Sequence, residues 1–297
     1  MNAERTSDEI TAELEKNYKK YDLNNNFKKH DENEENGKVK ADFAEYSQTY
    51  FQSFKKSVLG LDIYKYSGYP EEKQNFIPYV FDLLLDETDK QLKSEEKTLF
   101  ESFNIKDNFI STGDGGYVIF SKPFHAFVFN FYFYSILHLF NTEHLFPELK
   151  KYIGEIFIRS VITYDKVYLY NKNSYGNAII TNSRILSKDR LNRFLIDKNT
   201  FEYFNMVCNG IESIPLIPDK FNQIFGGADT YFFNKKNTPF RNIHVQKLND
   251  TLAKNLSLVI YNVEIQLNIV LNSTTKNENN SINFICSIGN LNTNNLE

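Results

Sequence analysis

Two aspartates are placed where a carboxylate can do chemistry. Asp62 closes the apolar run Val58-Leu59-Gly60-Leu61-Asp62-Ile63, and Asp114 lies in Thr112-Gly113-Asp114-Gly115-Gly116 between two short apolar stretches. Carboxylates delivered side by side at the ends of neighbouring strands repel each other unless a cation lies between them. Magnesium or manganese suits that place, because hard divalent cations take one or two carboxylates together with the phosphates of a substrate. Such a pair could clamp a nucleoside triphosphate and activate a ribose hydroxyl. Capping two turns is the other use for the same residues, and spacing alone does not separate the two.

The elements that must hold these residues can be read from periodicity. The run over 58–63 predicts a buried strand ending on the carboxylate. Ile77, Val80, Phe81, Leu84 and Leu85 make one stripe of a helix over 71–93, followed by a polar connection at 94–99. Strands at 108–111 and 117–120 flank the glycine-rich tip, a hairpin whose backbone can pass close to a ligand. Pro123 opens an aromatic helix over 124–140, apolar on more than one side and so expected to touch protein on more than one side, as a core helix or as the border of a partner. Two strands at 154–163 and 166–169, joined at Tyr164-Asp165, lead into a Gly/Asn loop at 171–177, a helix over 178–186, a strand at 194–197 and a helical turn at 200–204. This order predicts an α+β fold: a ferredoxin-like, palm-type, mostly antiparallel sheet with helices on one face. Residues 1–40 read as a polar, flexible segment, 41–57 as an N-terminal helix, 58–210 as the main α+β domain, and 211–297 as a C-terminal extension of open fold ending in a β-strand pair at 256–271 and 282–288.

Composition narrows the function classes. Lys and Arg number 34 against 38 Asp and Glu, a formal charge of -4, so no global basic field is available to hold a nucleic acid polymer. Cys208 and Cys286 form no C-x-x-C pair, which signals neither a disulfide framework nor zinc and fits reduced thiols in the cytoplasm. The first residues show no secretory signal, and the aromatic segment at 124–140 is too short to span a bilayer and carries His125, Asn130 and His138. With 27 Phe and 19 Tyr but no Trp, the chain is rich in aromatics that must be packed somewhere.

Taken together, the motifs resemble class III nucleotide cyclase catalytic domains. Leu61-Asp62-Ile63-Tyr64-Lys65-Tyr66-Ser67 resembles the first metal motif of that family, and Ser111-Thr112-Gly113-Asp114-Gly115-Gly116-Tyr117-Val118-Ile119-Phe120 resembles the second. Ile158-Arg159-Ser160-Val161-Ile162-Thr163 is similar to the strand that comes next in the family, and the stretch from Gly176 through Arg184 to Leu186 is similar to the helix that closes the motif set. The resemblance implies two Mg2+ or Mn2+ ions on Asp62 and Asp114, with the Ile63 carbonyl assisting and Tyr64, Lys65, Tyr66 and Ser67 lying against the triphosphate. It also implies that Arg184 stabilises charge on the transferring phosphate, from a helix that reaches into the site of a partner subunit, so that a homodimer has two composite sites.

Three positions depart from the family pattern. Ile180 stands where the catalytic asparagine is expected, four residues before Arg184; Asn182 is nearby and would serve only if the helix is shifted. The two purine-reading positions hold Ile110, where purine cyclases have a lysine, and Asn173, where they have an aspartate. Base selection depends on paired polar groups, and the bacterial pyrimidine cyclases of antiphage defence also lack this pair. The resemblance is closest to that branch. It implies a cyclase that turns UTP or CTP into the 3',5'-cyclic monophosphate and pyrophosphate, with a catalytically impaired nucleotide-binding or scaffolding relative as the other reading.

Overall fold

The computed structural model describes residues 54–170, 173–209, 240–254, 256–272, 281–292, 294 and 296. The chain divides into two units, Met1–Tyr50 and Phe51–Glu297, and all described residues belong to the second. Strand β1 (Phe54–Ile63) leads through a 3-10 turn (Tyr66–Gly68) to α1 (Glu71–Gln74), α2 (Ile77–Glu95), α3 (Lys97–Phe100) and α4 (Ile105–Asn108). The hairpin β2 (Phe109–Ser111) and β3 (Gly115–Phe120) precedes α5 (Pro123–Asn141) and α6 (Pro147–Ile153). Then come β4 (Ile158–Tyr170), β5 (Asn173–Tyr175), α7 (Asn177–Lys188), β6 (Phe194–Asp197) and α8 (Lys198–Asn209). The remaining strands are β7 (Phe240–Lys247), β8 (Thr251–Ala253), β9 (Leu256–Leu258), β10 (Ile260–Asn272) and β11 (Ser281–Ile288).

The main sheet has the order β11-β10-β6-β4-β1-β3-β2, with β5 also paired to β4 and β7 to β10. It is the palm-type α+β arrangement that the element order predicts, with a mixed sheet: the β4 and β6 pair is parallel, the others antiparallel. Side chains alternate across β1. Leu59, Leu61 and Ile63 face a large cluster shared with α2 and α5, while Val58 packs on the other face in a cluster with Ala178 of α7. One helix therefore covers the face opposite the main helical layer.

Helix α5 explains much of the aromatic excess. Residues 126–134 are buried without interruption, because the helix lies between the sheet and neighbouring helices. Phe81 of α2 meets Phe133 at 5.8 Å, Phe204 of α8 meets Phe127 at 5.6 Å, and Phe120 of β3 meets Phe129 at 5.3 Å. Each buried Phe contributes roughly 1.5–3 kcal/mol, more than the ~1 kcal/mol of a single hydrogen bond, so packing sets where this helix sits. Of the two roles expected for it, core helix or border of a partner, the packing within the chain shows the first. Among the described residues, no helix is long and apolar enough to cross a membrane.

Several elements differ from the sequence reading. Strand β1 begins at Phe54, so residues 54–57 are strand where a helix was expected, and the rest of that helix lies outside the described residues. The helix expected over 71–93 is broken at 75–76 and restarts at Ile77, with Pro78 in its first turn, where its missing N–H costs nothing. The polar connection at 94–99 carries α3. Residues 154–157 are not strand, and β4 runs unbroken through Tyr164 and Asp165, because these pair with Ser57 and Lys56 of a longer β1. Residues 173–175 of the expected loop are β5, paired to β4. The helical turn at 200–204 is a helix of three turns, α8. Beyond 240, β7, β10 and β11 join the same sheet, with Val263, Ile265 and Ile288 in the main core, while β8 and β9 pair with each other in a separate two-stranded sheet.

Candidate active site

Strand pairing brings the two aspartates together. Asp62 lies opposite Gly115 on β3 and opposite Arg159 on β4. The Ile63 N–H donates to the Asp114 carbonyl at 2.9 Å, which ties the hairpin tip to the end of β1. Because side chains alternate along a strand, Asp62, Gly60 and the cross-strand Tyr117 and Arg159 all share the face covered by α7.

This edge concentrates opposing electrostatic effects. Burial pushes the Asp62 carboxyl above its ordinary value and the nearby Asp114 charge adds to the rise, while Arg159 pulls it down. Arg159 Nε donates to Asp62 Oδ2, and its Nη1 donates to the Asp189 carbonyl just past α7. Tyr117 shares a hydrogen bond with Ser183 of α7; burial raises its phenol, and both aspartates raise it further. An edge where a second carboxylate acts on Asp62 and one guanidinium is bonded to it is an edge where a small multivalent cation could sit between the carboxylates.

After Ile63 the chain turns sharply. Lys65 adopts the left-handed conformation at φ 57°, the Gly68 N–H donates to the Lys65 carbonyl at 2.8 Å, and the Tyr64 N–H donates to the Phe157 carbonyl at 2.8 Å. The Tyr66 hydroxyl is committed to the Gln74 carbonyl at 2.9 Å. Lys65 and Ser67 stay exposed, with Lys65 Nζ 5.1 Å from the Tyr64 ring centroid, so these two carry the polar groups best able to meet an anion here.

Helix α7 turns Ala178, Asn182, Ile185 and Leu186 to the sheet. Arg184 is half-buried on the outward side, four residues after Ile180, which is 49% exposed. Its guanidinium makes no hydrogen bond or ion pair among the described residues. Asn182 has a different place from the one expected of a catalytic residue: it is fully buried, and its Nδ2 donates to the carbonyls of Val58 and Val161 at 2.9 Å each and approaches Thr163 Oγ1 at 3.3 Å. The amide nitrogen anchors α7 to the sheet, and the carboxamide lies buried over Gly60 with its Oδ1 unpartnered among the described residues.

Ile110 lies opposite Tyr117 and packs on the apolar cluster of Val58, Ile119, Val167 and Ala178. Asn173 is exposed at the far end of the β4 and β5 hairpin, opposite Tyr170. Arg159 and Tyr170 are separated by most of β4, roughly 36 Å at ~3.3 Å per residue, so Asn173 cannot serve the aspartate pair of its own chain. The structure thus gathers Asp62, Ile63, Asp114 and the 64–67 turn, keeps Ile110 across from Tyr117 on the same hairpin as Asp114, and leaves Asn182 buried under α7, Arg184 on the outer side of α7 and Asn173 at the far end of β4. Sequence reasoning missed Arg159, whose signal was a lone arginine within an otherwise apolar strand, and Tyr117, whose signal was its place three residues after Asp114.

The donor set fits a hard cation. Two carboxylates converge, and among the described residues no group of three or more His, Cys, Asp or Glu gathers. That suits magnesium or manganese, which keep waters and take their other ligands from substrate phosphates, better than it suits zinc.

No protein-family model matches the chain, and no curated protein does. Solved structures do align. An adenylate/guanylate cyclase/hydrolase from Silicibacter pomeroyi aligns at 13% identity over 71% of this chain and 96% of its own, with a TM-score of 0.36. The adenylyl cyclase CyaB from P. aeruginosa aligns at 14% identity over 71% of this chain and 94% of its own, with a TM-score of 0.39. An adenylate cyclase from Trypanosoma brucei, solved in its monomeric state, aligns at 12% identity over 70% of this chain and 89% of its own, with a TM-score of 0.40.

Proposed function

We propose that the chain is a cytoplasmic nucleotide cyclase that converts a nucleoside triphosphate, UTP or CTP, into the 3',5'-cyclic monophosphate and pyrophosphate, a second messenger of antiphage defence. The observation that carries this reading is the placement of Asp62 and Asp114 at one sheet edge, beside the exposed 64–67 turn, with Arg159 bonded to the Asp62 carboxylate. Asp62, Asp114 and the Ile63 carbonyl would hold one or two Mg2+ or Mn2+ ions. When bound, these would neutralise the triphosphate and lower the pKa of the 3'-hydroxyl.

The chain's own residues do the rest. Lys65, Ser67 and the amides of the 64–67 turn orient the triphosphate so that the 3'-oxygen lines up with the α-phosphorus. Arg159 leaves Asp62 when a cation takes its place, stays held by the Asp189 carbonyl, and offers its remaining N–H groups to phosphate oxygens. The 3'-hydroxyl gives up its proton to solvent water as its oxygen attacks the α-phosphorus, the bond from that phosphorus to the bridging oxygen breaks, and pyrophosphate leaves with the bonding electrons. Arg184 faces outward and so serves the site of a second copy, where a bidentate cation stabilises charge on the transferring phosphate. A homodimer then has two composite sites. In such a dimer the base would stand against the second copy's apolar Ile110 and neutral Asn173 rather than the charged pair that would read a purine.

Purified protein is incubated with each of ATP, GTP, CTP and UTP plus Mn2+ and the products are separated. A cyclic monophosphate from a pyrimidine nucleotide is expected; no cyclic product from any of the four refutes the reading. One observation favours a second reading, a nucleotide-binding relative without turnover: the outward Ile180 beside Arg184 has no polar group to offer a phosphate. It predicts thermal stabilisation by nucleotide with no product.

A further inference from the structure

Next to the carboxylate edge runs a chain of buried polar contacts that the proposed chemistry leaves unused. Gly289 turns the backbone out of β11 at φ +76°, where a Cβ would stand 2.2 Å from the Val263 carbonyl oxygen. Beyond Gly289, the described residues Asn290, Asn292, Asn294 and Leu296 are each tied down. Asn262 Nδ2 donates to the carbonyls of Asn290 and Asn292 at 2.8 and 3.0 Å, and Asn290 Nδ2 donates to the Asn192 carbonyl. Leu296 packs in one cluster with Ile185 and Leu186 of α7.

Arg193 closes the run. It is 1% exposed, as is Asp189, and its Nε and Nη2 donate to Asp189 Oδ1 at 3.0 and 2.7 Å. Its Nη1 donates to the carbonyls of Asn292 and Asn294. A buried guanidinium has five N–H donors to satisfy, and the 289–296 segment supplies acceptors that Asp189 does not. The same pair holds the strand around Arg159 at two points. The Asp189 carbonyl accepts from Arg159 Nη1, and the Arg193 carbonyl accepts from the Ser160 N–H at 3.0 Å, one residue along the strand from Arg159.

We propose that Asp189 and Arg193, clasped by residues 289–296, are positioning residues that aim the Arg159 guanidinium at the edge carrying Asp62 and Asp114. Their functional consequence rests on the nucleotide site proposed above; their physical action does not. A rigid Asp189 carbonyl keeps one Arg159 nitrogen fixed whether its Nε is on Asp62 or on a phosphate, so the clasp sets how well the guanidinium is preorganised. Arg193→Lys keeps the charge but loses the fork that reaches Asp189 and the segment together. Leu296→Ala loosens the segment from a distance and is the milder change.

Both variants are made in the full chain and compared with wild type, first by amide hydrogen exchange without metal or nucleotide. Exchange at Arg159 and Ser160 is expected to rise about ten-fold in each; acceleration confined to 189–193 and 289–296 overturns the proposal. Steady-state kinetics with Mn2+ and the accepted nucleotide come second. The KM for nucleotide is expected to rise about three- to ten-fold with kcat within about two-fold of wild type, the pattern of lost uniform binding. A fall in kcat that tracks thermal stability at constant KM means a structural role alone and also overturns it. If wild type turns over none of the four nucleotides, the cyclase reading fails by itself, and exchange at Arg159 and Ser160 still decides the clasp.

Discussion

Gly60 is where the sheet and the helix bearing Arg184 come closest. A Cβ built there would lie 2.0 Å from Asn182 Oδ1 and 2.8 Å from Leu186 Cδ1, closer than atoms can stand. Gly60→Ala must therefore push α7 away or drive the Asn182 carboxamide out of its place. Overpacking of this kind costs about 1–3 kcal/mol. If the carboxamide is expelled, its two bonds of 2.9 Å to Val58 and Val161 go with it, about 1 kcal/mol each. The single change should destabilise by about 3–4 kcal/mol. Asn182→Ala alone should cost about 2–3 kcal/mol through the same bonds and the hole left behind. In the double variant, the methyl at position 60 occupies the space that the carboxamide vacates. The pair should then cost about 3 kcal/mol rather than the ~6 of a simple sum, a coupling well beyond the ~0.5 kcal/mol expected of independent sites. Urea denaturation followed by circular dichroism measures all three. Additivity within ~0.5 kcal/mol would show that Asn182 does not occupy the space over Gly60, and the account of how α7 is seated would fall.

Other expectations concern the site and its surroundings. Asp62→Ala and Asp114→Ala should each abolish turnover while the folded circular dichroism spectrum persists. Mixing Asp62→Ala with Arg184→Ala protein should restore about a quarter of wild-type activity, because random pairing makes about half the dimers mixed, each with one intact composite site; no recovery would place Arg184 outside a shared site. Arg159→Met should raise the nucleotide KM about ten-fold or more with a smaller change in kcat, measured by steady-state kinetics. Asp197, 6% exposed and receiving the Thr200 N–H at 2.9 Å, is pushed up to about 6 from 3.8 first by burial. Its folded value lies above the unfolded one, so the folded state holds the proton between those values and stability falls as pH rises through them, by about 3 kcal/mol in all. Asp197→Asn keeps the capping acceptor without the charge and should stabilise the protein by up to about 3 kcal/mol at about pH 8 and little at about pH 4; equal gains at both, in thermal melts, would contradict this.

What could be read in advance depended on how local the signal was. The end of β1 and the tip of the β2 and β3 hairpin were legible because each combines an apolar run, glycines and a single aspartate within a few residues. The continuous β4 was not, since Tyr164 and Asp165 look like a turn and become strand only by pairing with Ser57 and Lys56, about a hundred residues away. Lys55 and Lys56 look like the end of a helix for the same reason. Within the site, Arg159 escaped notice because its meaning comes from Asp62 across the strand pair, and Asn182 was given a chemical role because burial beneath a helix leaves no trace in the residue's own type. Ile110 and Asn173 are legible as neutral positions, but the distance of Asn173 from the aspartates depends on how far β4 extends.

The parallel strand β6 has β4 on one side and β10 on the other. All four of its residues are buried, including Phe194 and Leu195 at zero exposure. Because β10 lies some sixty residues later in the chain, that edge stays open until synthesis has passed it. A polypeptide cut near 210 would present Phe194-Leu195-Ile196-Asp197 as an uncovered apolar edge, the kind of template on which other chains assemble. Late completion of a central strand also raises the sequence separation of native contacts, which slows folding. Expression of the core without its final strands should therefore yield aggregates rather than a smaller folded protein.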